Sequence, residues 1–140
     1  GHPVSSAVAL ENLRIMEEED LMGDVQKVAA PHLKAMWESL ADHPLVGEAV
    51  ICGMMGSLAL TPDKASRAKF ASEPGDVGLI CREHCFKNGL VMRHVGDRMV
   101  ISPPLIIQPE EIDMLVERAR LSLDGCYDEL KAKGLMKPAQ

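Results

Sequence analysis

The stretch Gly89-Leu-Val-Met-Arg-His-Val-Gly-Asp-Arg-Met-Val-Ile-Ser-Pro-Pro-Leu-Ile-Ile107 predicts two short strands joined by a tight turn. Residues 91–95 form the first apolar run and residues 99–101 form the second. The pair Gly96-Asp97 separates them, because glycine and aspartate accept the backbone dihedral angles that a hairpin turn requires. The pair Pro103-Pro104 then ends the strand pairing, since neither proline has an N–H group to donate. The chain is organised around this hairpin.

Arg93 is the residue of the hairpin whose chemistry needs an explanation. It lies in an apolar run, with Val91 and Val95 two positions away on the same face of the strand. One interpretation is a strand arginine whose aliphatic stem packs while its guanidinium reaches water, and the pattern alone favours it. The other is an anion anchor, because a planar guanidinium can hold a carboxylate through two parallel hydrogen bonds.

The composition predicts one compact globular domain. The chain has 140 residues, of which 46% are hydrophobic and 26% charged. Aromatic residues make up only 3% while methionines number nine, so an aliphatic core is expected. A formal net charge of -6 argues against a nucleic-acid surface. No apolar run approaches the roughly 20 residues of a membrane span, and no signal peptide is visible, so a cytoplasmic location is expected.

The four cysteines do not have the paired spacing of a zinc site. They are Cys52, Cys81, Cys85 and Cys126. Cys81, His84 and Cys85 would share one helix face and could in principle grip a metal ion. Local spacing offers no fourth ligand, however, so we expect no metal-binding residues and free, buried thiols of a reducing cytosol.

Two helices are predicted in the first third of the chain. The apolar spacing of residues 4–18 indicates a helix, and Pro3 suits its first position. A second helix is expected over residues 24–41. Pro31 should either kink this helix or lie near a restart, because proline lacks the N–H of the helical ladder. Trp37 is expected to anchor the core or a subunit interface.

The middle of the chain predicts a strand followed by a loop. Residues 48–60 are rich in strand formers and are interrupted by two glycines. His43 precedes them beside a proline and is expected to be an exposed loop histidine. Residues 61–74 are polar and indicate a loop, with Phe70 tucked beneath it.

Two further helices flank the hairpin. One is expected over residues 76–88 and the other from Gln108-Pro109 onward, where proline suits the first helical position. Gly134 and Pro138 are expected to end the last helix. Its inner stripe is predicted to be Ile112, Leu115, Val116, Ala119, Leu123, Cys126 and Leu130. The order ααβαββα predicts an α+β fold, in which helices flank a small mixed or antiparallel sheet.

The hairpin and its flanks resemble the C-terminal small domain of the class III aminotransferases. These are pyridoxal-phosphate enzymes of fold type I, and the similarity is greatest to their ω-amine:pyruvate group. The resemblance rests on Gly89-Leu90 with Arg93, on Gly96-Asp97 and on the run from Ser102 to Ile106. It covers essentially the whole chain, because the opening Gly1-His2-Pro3 matches the segment after the family's phosphate-contacting threonine. It implies that residues 1–140 form one domain of a larger aminotransferase, whose cofactor-binding large domain lies outside this chain.

The resemblance also implies a function. The family transfers an amino group from an amine or ω-amino acid to a keto acid such as pyruvate. Arg93 matches the family's mobile arginine, which binds the substrate carboxylate and swings away from an uncharged amine. Arg98 is the rival carboxylate binder and is expected to be exposed. The segment would supply this substrate-binding arginine and a wall of the active site.

The residues that hold pyridoxal phosphate are expected to lie in other parts of such an enzyme. The cofactor needs a Schiff-base lysine, an acidic partner for its ring nitrogen and a phosphate cradle. The eight lysines all lie in polar, amphipathic or terminal contexts: Lys27, Lys34, Lys64, Lys69, Lys87, Lys131, Lys133 and Lys137. We therefore expect no catalytic and no cofactor-binding residues in this chain, and no activity from it alone.

The expected partners follow from the same resemblance. They are the large domain, a second subunit in a homodimer or tetramer, and the amine and keto-acid substrates. An alternative from another class of function is a free-standing, non-catalytic α+β domain with a regulatory or interaction role.

Overall fold

A computed structural model of the chain describes residues 1–136. Lys137 and Pro138, the second of which was expected to end the last helix, lie outside the described residues. The elements in chain order are α1 Pro3–Glu18, α2 Leu21–Asp24, a π-helical turn Val25–Ala29, α3 Ala30–Glu38, a 3-10 turn Ser39–Asp42, β1 Val46–Cys52, β2 Met55–Leu60, α4 Asp76–Lys87, β3 Arg93–Val95, β4 Arg98–Ile101 and α5 Pro109–Ala132. The predicted α+β class is confirmed.

The four strands form one antiparallel sheet in the order β1-β2-β4-β3. The stretch 48–60, predicted as a single interrupted strand, is a hairpin, because Gly53 at φ 55° turns the chain between Cys52 and its partner Met55. Cys52 is exposed, contrary to the expected burial, since it ends an edge strand at this turn. The predicted hairpin of β3 and β4 is confirmed.

The second predicted helix is irregular, and α3 begins at Ala30, so Pro31 lies near a restart, which is one of the two predicted outcomes. The N–H of Ala30 donates to the carbonyl of Val25, five residues earlier, which widens one turn to a π-helix. This turn lies directly before Pro31, which has no N–H to continue the ladder. The helical stretch then continues through α3 and ends in the 3-10 turn Ser39–Asp42.

Helices α3, α4 and α5 cover one face of the sheet or pack on one another there. Trp37 of α3 is fully buried, so the structure places it in the core. Its indole N–H donates to the Ser57 carbonyl at 3.4 Å, and its ring lies against Gly56, where a Cβ would stand 3.0 Å from it. Phe70 is buried under its loop, as predicted.

Helix α5 begins with the predicted proline and runs for 24 residues. Its cap is Gln108, whose backbone N–H donates to the Glu111 carboxylate at 2.9 Å. The predicted inner stripe is buried except for Leu115, which is half-buried. In residues 1–136 no helix combines the length and apolar character needed to cross a membrane.

The apolar residues of helix α1 remain exposed within residues 1–136. None of its residues is buried, and Val4, Val8 and Leu13 expose 66%, 64% and 55% of their surface. His2 is its N-cap, with the ring atom Nδ1 accepting from the Ser5 N–H at 3.4 Å. The predicted helix is confirmed, and it leaves an apolar surface open to other molecules or domains.

His43 is buried, with 4% of its surface exposed, so the prediction of an exposed loop histidine is wrong. Its Nδ1 accepts from the Leu45 N–H at 3.1 Å, which places the ring proton on Nε2. Nε2 donates to the Asp124 carboxylate of α5 at 3.2 Å, and this partner is 81 residues away in sequence. Burial lowers the pKa of His43 below its ordinary 6.5, and the bond to Asp124 opposes this only in part.

The lowered pKa of His43 predicts a loss of stability in mild acid. The unfolded chain takes up the proton at a higher pH than the folded chain, so the stabilisation is complete above pH 6.5 and is lost as the pH falls below that value. Urea unfolding at a series of pH values should show this loss in the wild type. The His43→Gln variant should show a smaller one, because its amide donates and accepts without titrating. If the free energy of unfolding falls equally with pH in the wild type and in His43→Gln, groups other than His43 cause the loss.

Candidate functional site

The sheet has an open face on the side away from the helices. Strand pairing aligns Val50, Ser57, Val100 and Arg93 in one row across the four strands. Side chains of successive residues alternate between faces, and their burial shows that this row lies on the open face. Arg93 stands at the end of the row because β3 is an edge strand.

Arg98 is engaged by the chain itself. Its guanidinium donates to the Ser57 hydroxyl at 2.8 Å and to the Glu48 carboxylate at 2.9 Å. The register explains the pairing, because Glu48 and Arg98 both pair with Ala59 from opposite sides. The hydrogen bond from Arg98 holds the pKa of Glu48 below its ordinary value. The expectation that Arg98 is simply exposed is therefore wrong: its side chain is 41% exposed and already bound to a carboxylate.

Arg93 has the opposite environment. The side chain is exposed, and no hydrogen bond or ion pair connects its guanidinium to any other residue in the range 1–136. Its neighbours on the same face, Val91 and Val95, expose 80% and 57% of their surface. Met92, the residue before Arg93, faces the core and is buried. Arg93 is thus a cation on an apolar, open surface, available to an anion from outside.

The turn of this hairpin is locked to helix α4 by Asp97. One carboxylate oxygen of Asp97 accepts hydrogen bonds from the N–H groups of Gly75 and Gly78, each at 3.1 Å. These N–H groups lie at the start of α4, where a negative charge is stabilising. The Asp97 carbonyl also accepts from the Leu60 N–H at 2.9 Å. The sequence predicts Asp97 as a turn residue but not this capping role, because the partners Gly75 and Gly78 are distant along the chain.

Gly78 allows helix α4 to lie directly on the turn. A Cβ added at Gly78 would stand 2.2 Å from the Gly96 carbonyl oxygen and 3.1 Å from the Cβ of His94. A real Cβ cannot approach a backbone oxygen so closely, so only glycine fits without displacing the hairpin. The strand that carries Arg93 is therefore positioned by the first turn of α4.

Similar sequences and structures identify the family. No family model matches the chain. A putrescine–pyruvate aminotransferase of Pseudomonas aeruginosa is 54% identical over 124 residues, which is 89% of this chain and 27% of that protein. A probable gamma-aminobutyrate transaminase 4 of Oryza sativa subsp. japonica is 41% identical over 95% of this chain and 28% of its own length. The chain therefore spans little more than a quarter of the curated relatives it matches.

Solved transaminase structures have the same fold as this chain. The crystal structure of an omega transaminase from Pseudomonas jessenii in complex with PMP superposes with a TM-score of 0.85 and 35% identity, over 93% of this chain and 28% of that one. A transaminase with L-alanine gives a TM-score of 0.87 and 33% identity, over 94% of this chain. The chain is homologous to part of a transaminase. The resemblance drawn from the sequence is confirmed.

The described lysines of this transaminase segment lie at its surface. A Schiff-base lysine needs a sheltered position beside the cofactor. All seven described lysines are exposed: Lys27, Lys34, Lys64, Lys69, Lys87, Lys131 and Lys133.

The three side chains of the transaminase segment that were considered as metal ligands, Cys81, His84 and Cys85, interact with other residues of the chain. His84 Nε2 lies 2.9 Å from the Glu129 carboxylate of α5. Cys81 is hydrogen-bonded to Cys126 and Cys85, and these bonds together with burial raise the pKa of the Cys81 thiol. In the part of the chain that the structure describes, no group of three His, Cys, Asp or Glu residues could hold a metal ion. The three thiols are part of the packing between α4 and α5.

Proposed function

We propose that this chain is the C-terminal small domain of a class III, pyridoxal-phosphate-dependent transaminase. The proposed reaction moves an amino group from an amine or ω-amino acid to a keto acid such as pyruvate. The identity to a putrescine–pyruvate aminotransferase over most of the chain supports this reaction. The other class of function, a non-catalytic regulatory domain, is not favoured, because the relatives named above are transaminases.

The observation that carries the proposal is the contrast between the two hairpin arginines. Arg98 already binds Glu48, whereas the Arg93 guanidinium has no partner within residues 1–136. Arg93 is thus the hairpin cation that can offer both prongs of its fork to a substrate carboxylate. We assign it the role of binding the keto-acid carboxylate, on a surface that forms one wall of the active site.

The position of Arg93 suits a side chain that must also move away. It lies on an edge strand and its stem is flanked by exposed valines, so rotation of the side chain breaks no hydrogen bond within the described chain. A long side chain with several rotamers can pair with a carboxylate in one state and withdraw in another. We propose that it withdraws when an uncharged amine occupies the same space.

The remaining surfaces suit partner domains. The apolar side chains of α1 and of the open sheet face, such as Val8 and Met55, are more than half exposed. Large exposed apolar surfaces are typical of interfaces. We propose that they contact the enzyme's own large domain, which supplies the lysine and phosphate cradle, and a second subunit of a homodimer or tetramer. A cytoplasmic location is part of the same proposal.

Trapping of the cofactor tests the proposal directly. Borohydride reduction of the full-length protein in the presence of pyridoxal phosphate should give one stoichiometric adduct at a lysine outside residues 1–140. The 140-residue chain alone should give none, because its described lysines are all exposed. The full-length protein should also form alanine from pyruvate when an amine is supplied. A stoichiometric adduct at a lysine of this chain, or no adduct in the full-length protein, would contradict the proposal.

A further inference from the structure

Two arginines have no hydrogen-bond or ion-pair partner within residues 1–136, and they line one depression. The sequence contains seven arginines, all within the described residues. Five have a protein partner: Arg14 with Glu11 and Glu18, Arg67 with Glu48, Arg98 with Glu48, Arg118 with the Gly89 carbonyl and Arg120 with Asp42. Arg82 and Arg93 have no hydrogen bond or ion pair with any residue from 1 to 136.

Both arginines line the same depression. It lies at the edge strand β3, where residues 91–94 meet Arg82 and Phe86 of α4, and it has a volume of about 300 Å³. Its other lining residues are Phe86, Val91, Met92 and His94, so no carboxylate belongs to its wall. The chain is acidic overall, with 21 Asp and Glu residues, yet none of them lines this site. An anion that enters the depression would therefore meet two cationic residues and no acidic side chain of residues 1–136.

Arg82 is oriented before any ligand arrives. Its guanidinium carbon lies 4.7 Å from the centre of the Phe86 ring, one turn later on the same helix. This cation–π contact restricts the rotation of a long side chain, so less conformational freedom is lost when an anion binds. Arg93 lines the same depression from the edge strand, and its guanidinium has no hydrogen bond or ion pair within residues 1–136.

We propose that Arg82 and Arg93 together bind a small, doubly negative oxyanion. Two guanidinium forks provide enough donors for a phosphate or for both carboxylates of a dicarboxylate. The binding itself does not depend on the role of the chain in transamination. One consequence does rest on the proposed function: an anion in this depression holds Arg93 away from the substrate, so it competes with the keto acid and not with the amine.

Titration with inorganic phosphate tests the site. The full-length protein, with cofactor bound, is titrated calorimetrically at constant ionic strength. The Arg82→Gln variant should bind phosphate about 10- to 100-fold more weakly, as expected for the loss of a charge-assisted hydrogen-bond pair. The matched control is Arg14→Gln, which removes the same charge from α1, and it should bind phosphate as the wild type does. Arg82→Lys should recover only part of the affinity, because an ammonium has no planar fork.

Succinate in place of phosphate distinguishes a dicarboxylate from a phosphate as the ligand, because the anion that fits the site is the one bound more tightly by the wild type and weakened by Arg82→Gln but not by Arg14→Gln. Phe86→Leu provides a second variant that keeps both charges, and it should weaken binding several-fold. Equal affinities of the Arg82→Gln and Arg14→Gln variants for both anions would overturn the site, as would no binding to the wild type. If the wild type binds neither anion but Arg93→Ala still shows a selective keto-acid defect, only this inference is rejected. If the anions bind as described but Arg93→Ala shows no selective keto-acid defect, only the proposed role of Arg93 is rejected.

Discussion

Replacing Arg93 with alanine in the full-length protein should slow the keto-acid half-reaction selectively. A charge-assisted, two-pronged pair contributes roughly 1.5–3 kcal/mol, which is about one to two decades in kcat/KM. The amine half-reaction should keep its rate, because a simple amine offers no carboxylate to a cation. The other cation of the hairpin cannot compensate, since Arg98 is already bound to Glu48 and Ser57. Single-turnover kinetics of each half-reaction measure the two effects separately.

Two further variants make this result specific. Arg93→Lys should recover part of the lost rate, because an ammonium is a point charge without the planar fork. Arg98→Ala should not show the selective defect, since its loss removes an ion pair of the chain and not a substrate contact. A selective defect in Arg98→Ala and not in Arg93→Ala would mean that the wrong arginine has been assigned. Equal losses in both half-reactions of Arg93→Ala would mean that Arg93 stabilises the hairpin.

The Gly78→Ala variant should lower the free energy of unfolding by about 2–3 kcal/mol, measured by urea denaturation. The added methyl group would meet the Gly96 carbonyl oxygen at 2.2 Å, and this atom is part of the backbone and has no rotamer to adopt. Helix α4 and the turn must therefore separate, which also weakens the two hydrogen bonds from Gly75 and Gly78 to Asp97. The gain in helix propensity from alanine offsets only about 1 kcal/mol of this loss.

Gly125 of α5 provides the matched control. A Cβ at this helical glycine would stand 2.7 Å from the His84 ring, which is a side chain that can rotate away. Gly125→Ala should therefore change the free energy of unfolding by no more than about 1 kcal/mol, because the lost His84–Glu129 contact and the gained helix propensity nearly cancel. Similar losses in the two variants would contradict the view that the backbone contact at Gly78 is what positions the hairpin.

Many local elements of this chain could be predicted because their causes lie within a few residues. The inner stripe of α5 follows from helical spacing, and the turn at Gly96-Asp97 follows from the dihedral angles those residues accept. The hairpin at Gly53 was missed because a glycine within an apolar stretch is equally compatible with a bulge. The apolar stripe of α1 indicates that this surface is to be covered, and it does not say which molecule covers it.

The sequence by itself determined the α+β class, the hairpin with its two arginines and the resemblance to the transaminases. Only the tertiary structure decided which arginine is available. Strand register joins β1, β2 and β4 so that Glu48 meets Arg98, while Arg93 at the sheet edge and Arg82 on α4 meet no carboxylate in the described chain. Burial of His43 against Asp124 was settled in the same way. The physical reason is shared: a charge or hydrogen bond is satisfied by whatever lies near it in space, and these partners are tens of residues away along the chain.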